Sequence, residues 1–70
     1  MTMVDSGWRP TSDDVLLLRL LSEGHTTEAI ARRLGRSERT VRRRLRTIAD
    51  EIGVDSTIEA VVYAVRARLI

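Results

Sequence analysis

Apolar positions recur along this chain in four clusters, each with helical and not strand spacing. In the first, Val15, Leu16, Leu17, Leu18, Leu20 and Leu21 spread over more than one face, which predicts a helix buried on more than one side. Thr11 or Ser12 stands where a hydroxyl caps that helix, and Asp13 and Asp14 fill its first turn, where the macrodipole favours anions. Gly24 supplies the left-handed residue that ends it. The second cluster is short: Thr26 or Thr27 opens it, Ile30, Ala31 and Leu34 face inward, and Gly35 breaks it. Ser37 caps a third helix with the stripe Val41, Leu45, Ile48 and Ile52, spaced i, i+4, i+7, i+11, and Gly53 closes it. Ser56-Thr57-Ile58-Glu59 has the form of a capping box and starts a fourth helix, with the predicted core stripe Ile58, Val61, Val62, Val65 and Leu69. No alternating run bounded by hairpin turns occurs, and neither a repeat nor a low-complexity segment is found. The pattern predicts an all-α fold of four helices over residues 11–70, preceded by a mobile arm, residues 1–10, containing Gly7 and Pro10.

The turn at Gly35 joins a helix of about eight residues to a longer one, the spacing of a helix-turn-helix. Ala31 is small where the two helices must cross closely, Gly35 tolerates φ > 0, and Val41 is placed to pack back on Ile30 and Leu34. Spacing alone leaves a plain α-hairpin open.

Length narrows the field further. Seventy residues make one domain, too small for a second domain, a large enclosed substrate pocket, or a TIM-barrel or Rossmann architecture. The absence of Cys excludes a disulfide framework and a thiolate metal site. No apolar run approaches the ~20 residues of a membrane span, and Met1 to Pro10 has no apolar region preceded by basic residues. A cytoplasmic, nucleoid-associated location is expected, with no membrane partner.

Charge decides between the two readings of the Gly35 turn. All 12 basic residues are Arg, and the net charge of +2 conceals a sharp division. Residues 32–46 hold eight Arg against the single acid Glu38, whereas the remainder holds four Arg against nine acids. One basic surface on an otherwise acidic chain points to a polyanionic partner. On a wheel of the third helix, Arg39, Arg42, Arg43 and Arg46 lie within about 100° of arc, opposite the apolar stripe. Their like-charge pairs at i+3 and i+4 each cost roughly 0.2–0.5 kcal/mol, a repulsion that a merely solubilising face would relieve with Glu. Phosphates and base edges explain the pattern better than solvation does.

The runs Leu18-Arg19-Leu20-Leu21-Ser22-Glu23-Gly24, Ile30-Ala31-Arg32-Arg33-Leu34-Gly35, Ser37-Glu38-Arg39-Thr40-Val41, Gly53-Val54 and Glu59-Ala60-Val61 resemble the LuxR/GerE-type DNA-binding domain over residues 11–70. The resemblance implies a four-helix bacterial transcription regulator whose third helix, about residues 38–51, enters the major groove of double-stranded DNA. It implies a homodimer through the fourth helix on an inverted repeat, with RNA polymerase as a further candidate partner. Arg42, Arg43 and Arg46 match positions whose side chains reach bases, and Thr40 matches one that holds the DNA backbone. The remaining backbone contacts are expected from Arg32 and Arg33 on the second helix, Arg36 and Ser37 in the turn, and Arg39 and Arg44 on the third helix. Departures from the family pattern are Arg36 for an aliphatic residue, Arg44 where His is common, and Asp50, Glu51, Asp55 and Thr57 where basic or neutral polar residues are frequent.

On the fourth helix a second stripe, Ala60, Tyr63, Ala64 and Ala67, lies opposite the predicted core residues. It reads either as helix propensity or as a self-pairing dimer seam, and the resemblance favours the seam. Trp8 is expected to close the core beside the first helix, in place of an aliphatic replaced by Pro10. His25 reads as an exposed turn residue, and no metal, cofactor or catalytic site is expected. Two rival readings stay open: a sigma-factor region 4-like module, and a protein-interaction module whose Arg face binds an acidic partner. Binding of RNA stem-loops is disfavoured by the lack of an aromatic platform.

Overall fold

The computed structural model describes residues 8–70, and its architecture is four helices joined by short turns. They are α1 (Ser12–Ser22), α2 (Thr27–Leu34), α3 (Glu38–Ile52) and α4 (Thr57–Arg66). Of the arm expected at 1–10, residues 1–7 lie outside the described part.

Each helix begins on a hydroxyl cap that accepts one of the backbone N–H groups its first turn leaves unpaired. Thr11 accepts from Asp14, Thr26 from Ala29, Ser37 from Thr40 and Ser56 from Glu59, at 3.0–3.2 Å. Asp14 returns the bond by accepting from the Thr11 N–H, a complete capping box. At α4 the return bond is displaced by one residue, since Glu59 accepts from the N–H of Asp55 and the hydroxyl of Ser56.

All four helices also close alike, with a backbone N–H reaching back five residues to a carbonyl of the last turn. His25 donates to Leu20, Arg36 to Ala31, Val54 to Ala49 and Leu69 to Ala64. The closure needs one residue at positive φ. Glycine provides it three times, and in the turn between α2 and α3 Gly35 does so at φ 68°. At the end of α4 the same place is held by Arg68, φ 61°. That helix therefore stops at Arg66, before the Leu69 that the predicted stripe included.

The core joins Leu17, Leu18 and Leu20 of α1, Ile30 and Ala31 of α2, and Val41, Leu45, Ile48 and Ile52 of α3. The whole predicted stripe of α3 is buried, together with Ala49. α3 rests against α2 and α4, while α1 closes over α2 and α4. Trp8 is half-buried against this core and meets Tyr63 edge to face, with ring centroids 5.9 Å apart.

The fourth helix overturns the expected assignment of its faces. Ala60 and Ala64 are the residues with zero exposure, and they complete the core. Ile58, Val62 and Val65, predicted to be buried, are 76%, 42% and 50% exposed. The dimer seam assigned to Ala60, Tyr63, Ala64 and Ala67 is thereby corrected: Ala60 and Ala64 face the protein's own interior, Tyr63 is engaged with Trp8, and Ala67 is exposed at the C-cap. α4 packs on both α1 and α3, and Ala60 and Ala64 are the side chains it buries there. Small size was the mark of an internal contact.

Candidate nucleic-acid interface

The helix-turn-helix is assembled from α2, the Gly35 turn and α3. Ser37 fixes where α3 begins, so burial of Val41, Leu45, Ile48 and Ile52 determines which way the opposite side faces. Arg39, Arg42, Arg43 and Arg46 are all exposed on that opposite side. Among the described residues, Arg39, Arg43 and Arg46 have no ion-pair partner. Among the described residues, three uncompensated guanidinium groups thus stand on two turns of one helix.

Its margins are mixed. Arg32 and Arg33 are exposed on α2, with Arg32 3.8 Å from Glu28 one turn earlier. Arg36 is exposed in the turn and lies 3.6 Å from Asp13 at the start of α1. Such exposed pairs hold little energy, so both Arg remain available to a stronger anion. The Ser37 hydroxyl donates to Thr40 Oγ1 at 2.8 Å while serving as the cap, which leaves the Thr40 proton free to donate elsewhere. At the far end, Asp50, Glu51 and Asp55 are exposed and bound the basic surface with negative charge.

Two carboxylates shape this face in ways the sequence reading did not anticipate. Glu38, the first residue of α3, accepts through Oε2 from Arg42 Nε at 3.1 Å and Nη2 at 2.8 Å, and from the Thr27 hydroxyl at 2.8 Å. The Thr27 hydrogen bond first, and the Arg42 guanidinium second, hold the Glu38 carboxyl below its ordinary pKa. The i, i+4 spacing of Glu38 and Arg42 was the available signal.

The other is Asp14. It is 1% exposed and receives Arg44 as a two-pronged pair, Nε to Oδ1 and Nη2 to Oδ2, both at 2.7 Å. Burial works to raise the Asp14 pKa, yet the hydrogen bonds from Arg44 and from the Thr11 backbone N–H outweigh it and leave the value lowered. The Arg44 guanidinium is correspondingly raised by the same hydrogen bond. Arg44, expected at the DNA backbone, gives its Nε proton and one Nη2 proton to Asp14 and so ties α3 to α1. An open groove of about 470 Å³ between α1 and α3 is lined by this pair together with Thr11, Asp13, Leu17, Leu34, Arg36, Thr40 and Val41. No local pattern marks a contact between residues 30 positions apart.

His25 is exposed, with Nε2 3.8 Å from Glu23. Among the described residues no cluster of His, Asp and Glu could hold a metal ion, and no helix is long and apolar enough to cross a membrane.

Comparison with known proteins agrees with this architecture. Residues 15–57 match the homeodomain-like domain, a span that runs from α1 through the cap region of α4. Over 60 residues the chain is 38% identical to the transcriptional regulatory protein YdfI of Bacillus subtilis (strain 168). That alignment covers 86% of this chain and 28% of the relative, so the chain spans little more than a quarter of the relative's length. No solved structure matches the chain.

Proposed function

The chain belongs to the homeodomain-like helix-turn-helix domains, and from that premise we propose that it binds double-stranded DNA sequence-specifically in bacterial transcription regulation, as a LuxR/GerE-type domain. The observation that carries the proposal is the α3 face opposite the buried stripe, where Arg39, Arg43 and Arg46 stand exposed and uncompensated among the described residues. A helix of this kind fits the major groove, where Arg pairs bidentately with guanine O6 and N7. Arg42, Arg43 and Arg46, in the second and third turns of the helix, are the base readers. Arg32 and Arg33 on α2, Arg36 and Ser37 in the turn, and Arg39 and Thr40 in the first turn of α3 are the backbone contacts.

Pairing of two domains on an inverted repeat belongs to the same proposal, with the seam moved to the other side of α4. Ile58, Val62 and Val65 follow i, i+4, i+7 and present an apolar row to solvent, the surface a two-fold partner would cover. Half-sites would lie about one helical turn or less apart.

Selection of bound duplexes from a random pool, followed by salt titration of the winner, tests the proposal. The expected result is a defined site and a salt slope of about 4–6 ions per domain, shallow for a helix-turn-helix because Asp50, Glu51 and Asp55 repel phosphates at one end. Recovery of no sequence preference, or tighter capture by an acidic protein than by any duplex, would overturn it.

A further inference from the structure

Of the Arg residues on the α3 face, Arg42 alone among the described residues is held by a carboxylate, and the way it is held has a consequence for recognition. A guanidinium carries five N–H donors in a planar fork. Glu38 Oε2 takes the Nε proton and one Nη2 proton, the side edge of that plane. The end edge, formed by Nη1 and the second Nη2 proton, is untouched. An end-on guanidinium is sufficient for both guanine acceptors, O6 and N7. Glu38 is itself fixed on the other side by the Thr27 hydroxyl, at the first turn of α2, so its carboxylate is held from both helices of the helix-turn-helix.

Resting on the DNA-binding reading above, we infer that Glu38 is a specificity-determining positioning residue, which braces Arg42 so that its end edge is presented to a base. The brace has two effects with one origin. It biases a long side chain towards one orientation before DNA arrives, so less rotamer freedom is lost on base contact. It also places a negative charge beside the basic face, which any phosphate approaching Arg42 must meet. Arg42 thus reads a base well and holds phosphate poorly, in contrast to Arg39, Arg43 and Arg46, which have no such brace among the described residues.

The test is a double-mutant cycle of Glu38→Gln and Arg42→Ala on the selected duplex and on a scrambled one, at several salt concentrations. Gln keeps the size of the side chain and an acceptor for Thr27 but loses the charge that holds Arg42. Glu38→Gln should reduce discrimination between the two duplexes by about twofold, the worth of an exposed i, i+4 pair, with preference relaxed at a single base position. It should also tighten binding to the scrambled duplex and raise the salt slope by up to about one. In the Arg42→Ala background the same substitution should no longer change discrimination. Thermal unfolding of each variant shows that the differences arise among folded proteins. If Glu38→Gln tightens both duplexes equally, or lowers discrimination as much without Arg42 as with it, Glu38 acts as a bulk charge and the brace is refuted. Failure of the unsubstituted chain to prefer any duplex would instead refute the DNA-binding reading, so the two failures are distinguishable.

Discussion

Asp14 in the first turn of α1 and Arg44 on the flank of α3 meet through two parallel hydrogen bonds of 2.7 Å, and Asp14 is almost wholly buried beneath them. A two-pronged pair of this kind fixes distance and orientation together. It sets the position of α3 against the helix that carries most of the leucine core. Removing Arg44 leaves a buried carboxylate with only its cap bonds, a change that costs about 3–5 kcal/mol for a fully buried pair. Arg44 is 40% exposed and water reaches it, so Arg44→Ala should cost less, about 2–3 kcal/mol. The measurement is chemical denaturation. Replacing both partners by apolar residues, Asp14→Leu with Arg44→Met, should restore much of the loss.

The same pair predicts how stability follows pH. The folded Asp14 pKa is lowered, so its contribution is complete above the unfolded carboxylate value of about 3.9 and disappears as pH falls through the lower folded value. Denaturation midpoints measured from pH 6 down to pH 2 should therefore fall steeply only below about pH 4. Asp14→Asn should flatten that fall. An equally steep fall in the variant would assign the acid sensitivity to other carboxylates.

On α4, the two faces should respond oppositely to charge. Ala64→Glu places a carboxylate at a position of zero exposure and should abolish folding of a domain whose total stability is about 3.5–10 kcal/mol. Val62→Glu lies on the exposed row and should leave the melting temperature nearly unchanged while removing cooperativity between two DNA half-sites. Melting curves and two-site binding isotherms separate the faces. A folded Ala64→Glu variant would contradict the packing described.

Which parts of this were legible in the sequence follows from how local their causes are. The beginnings of the helices rest on single hydroxyl caps, and three of the endings rest on glycines, so all can be read residue by residue. α3 has apolar residues on one side only, and its period alone fixes its buried face. α4 is apolar almost all round, so its period leaves the inward side undecided and the choice depends on how closely α1 and α3 approach. The Asp14–Arg44 contact was hidden for another reason. Each partner had an adequate local explanation, Asp14 in the helix dipole and Arg44 in a basic run, and a contact across 30 residues leaves no trace in spacing.

The end of α4 was also illegible, because its left-handed residue is not glycine. Arg68 adopts φ 61°, a conformation that costs an L side chain about 1–2 kcal/mol. Glycine there relieves the strain but loses more chain entropy on folding, by about 0.5–1 kcal/mol. Arg68→Gly should thus stabilise the domain by about 0.5–1 kcal/mol, visible as a raised midpoint in urea. A lowered midpoint would show that the Arg68 side chain contributes more than its backbone conformation costs.

The central claim, that the α3 face opposite the core reads DNA sequence, is tested most directly by comparing Arg43→Ala with Arg44→Ala. The measurement is a set of binding isotherms on the selected and the scrambled duplex at several salt concentrations, below the melting temperature of both variants. Arg43→Ala should cost roughly 1–3 kcal/mol on the selected duplex, much less on the scrambled one, and relax preference at one base position. Arg44→Ala, which removes the tie between α3 and α1, should lower stability and leave discrimination between the two duplexes unchanged. Equal weakening of both duplexes by Arg43→Ala, or lost discrimination from Arg44→Ala alone, would contradict the account.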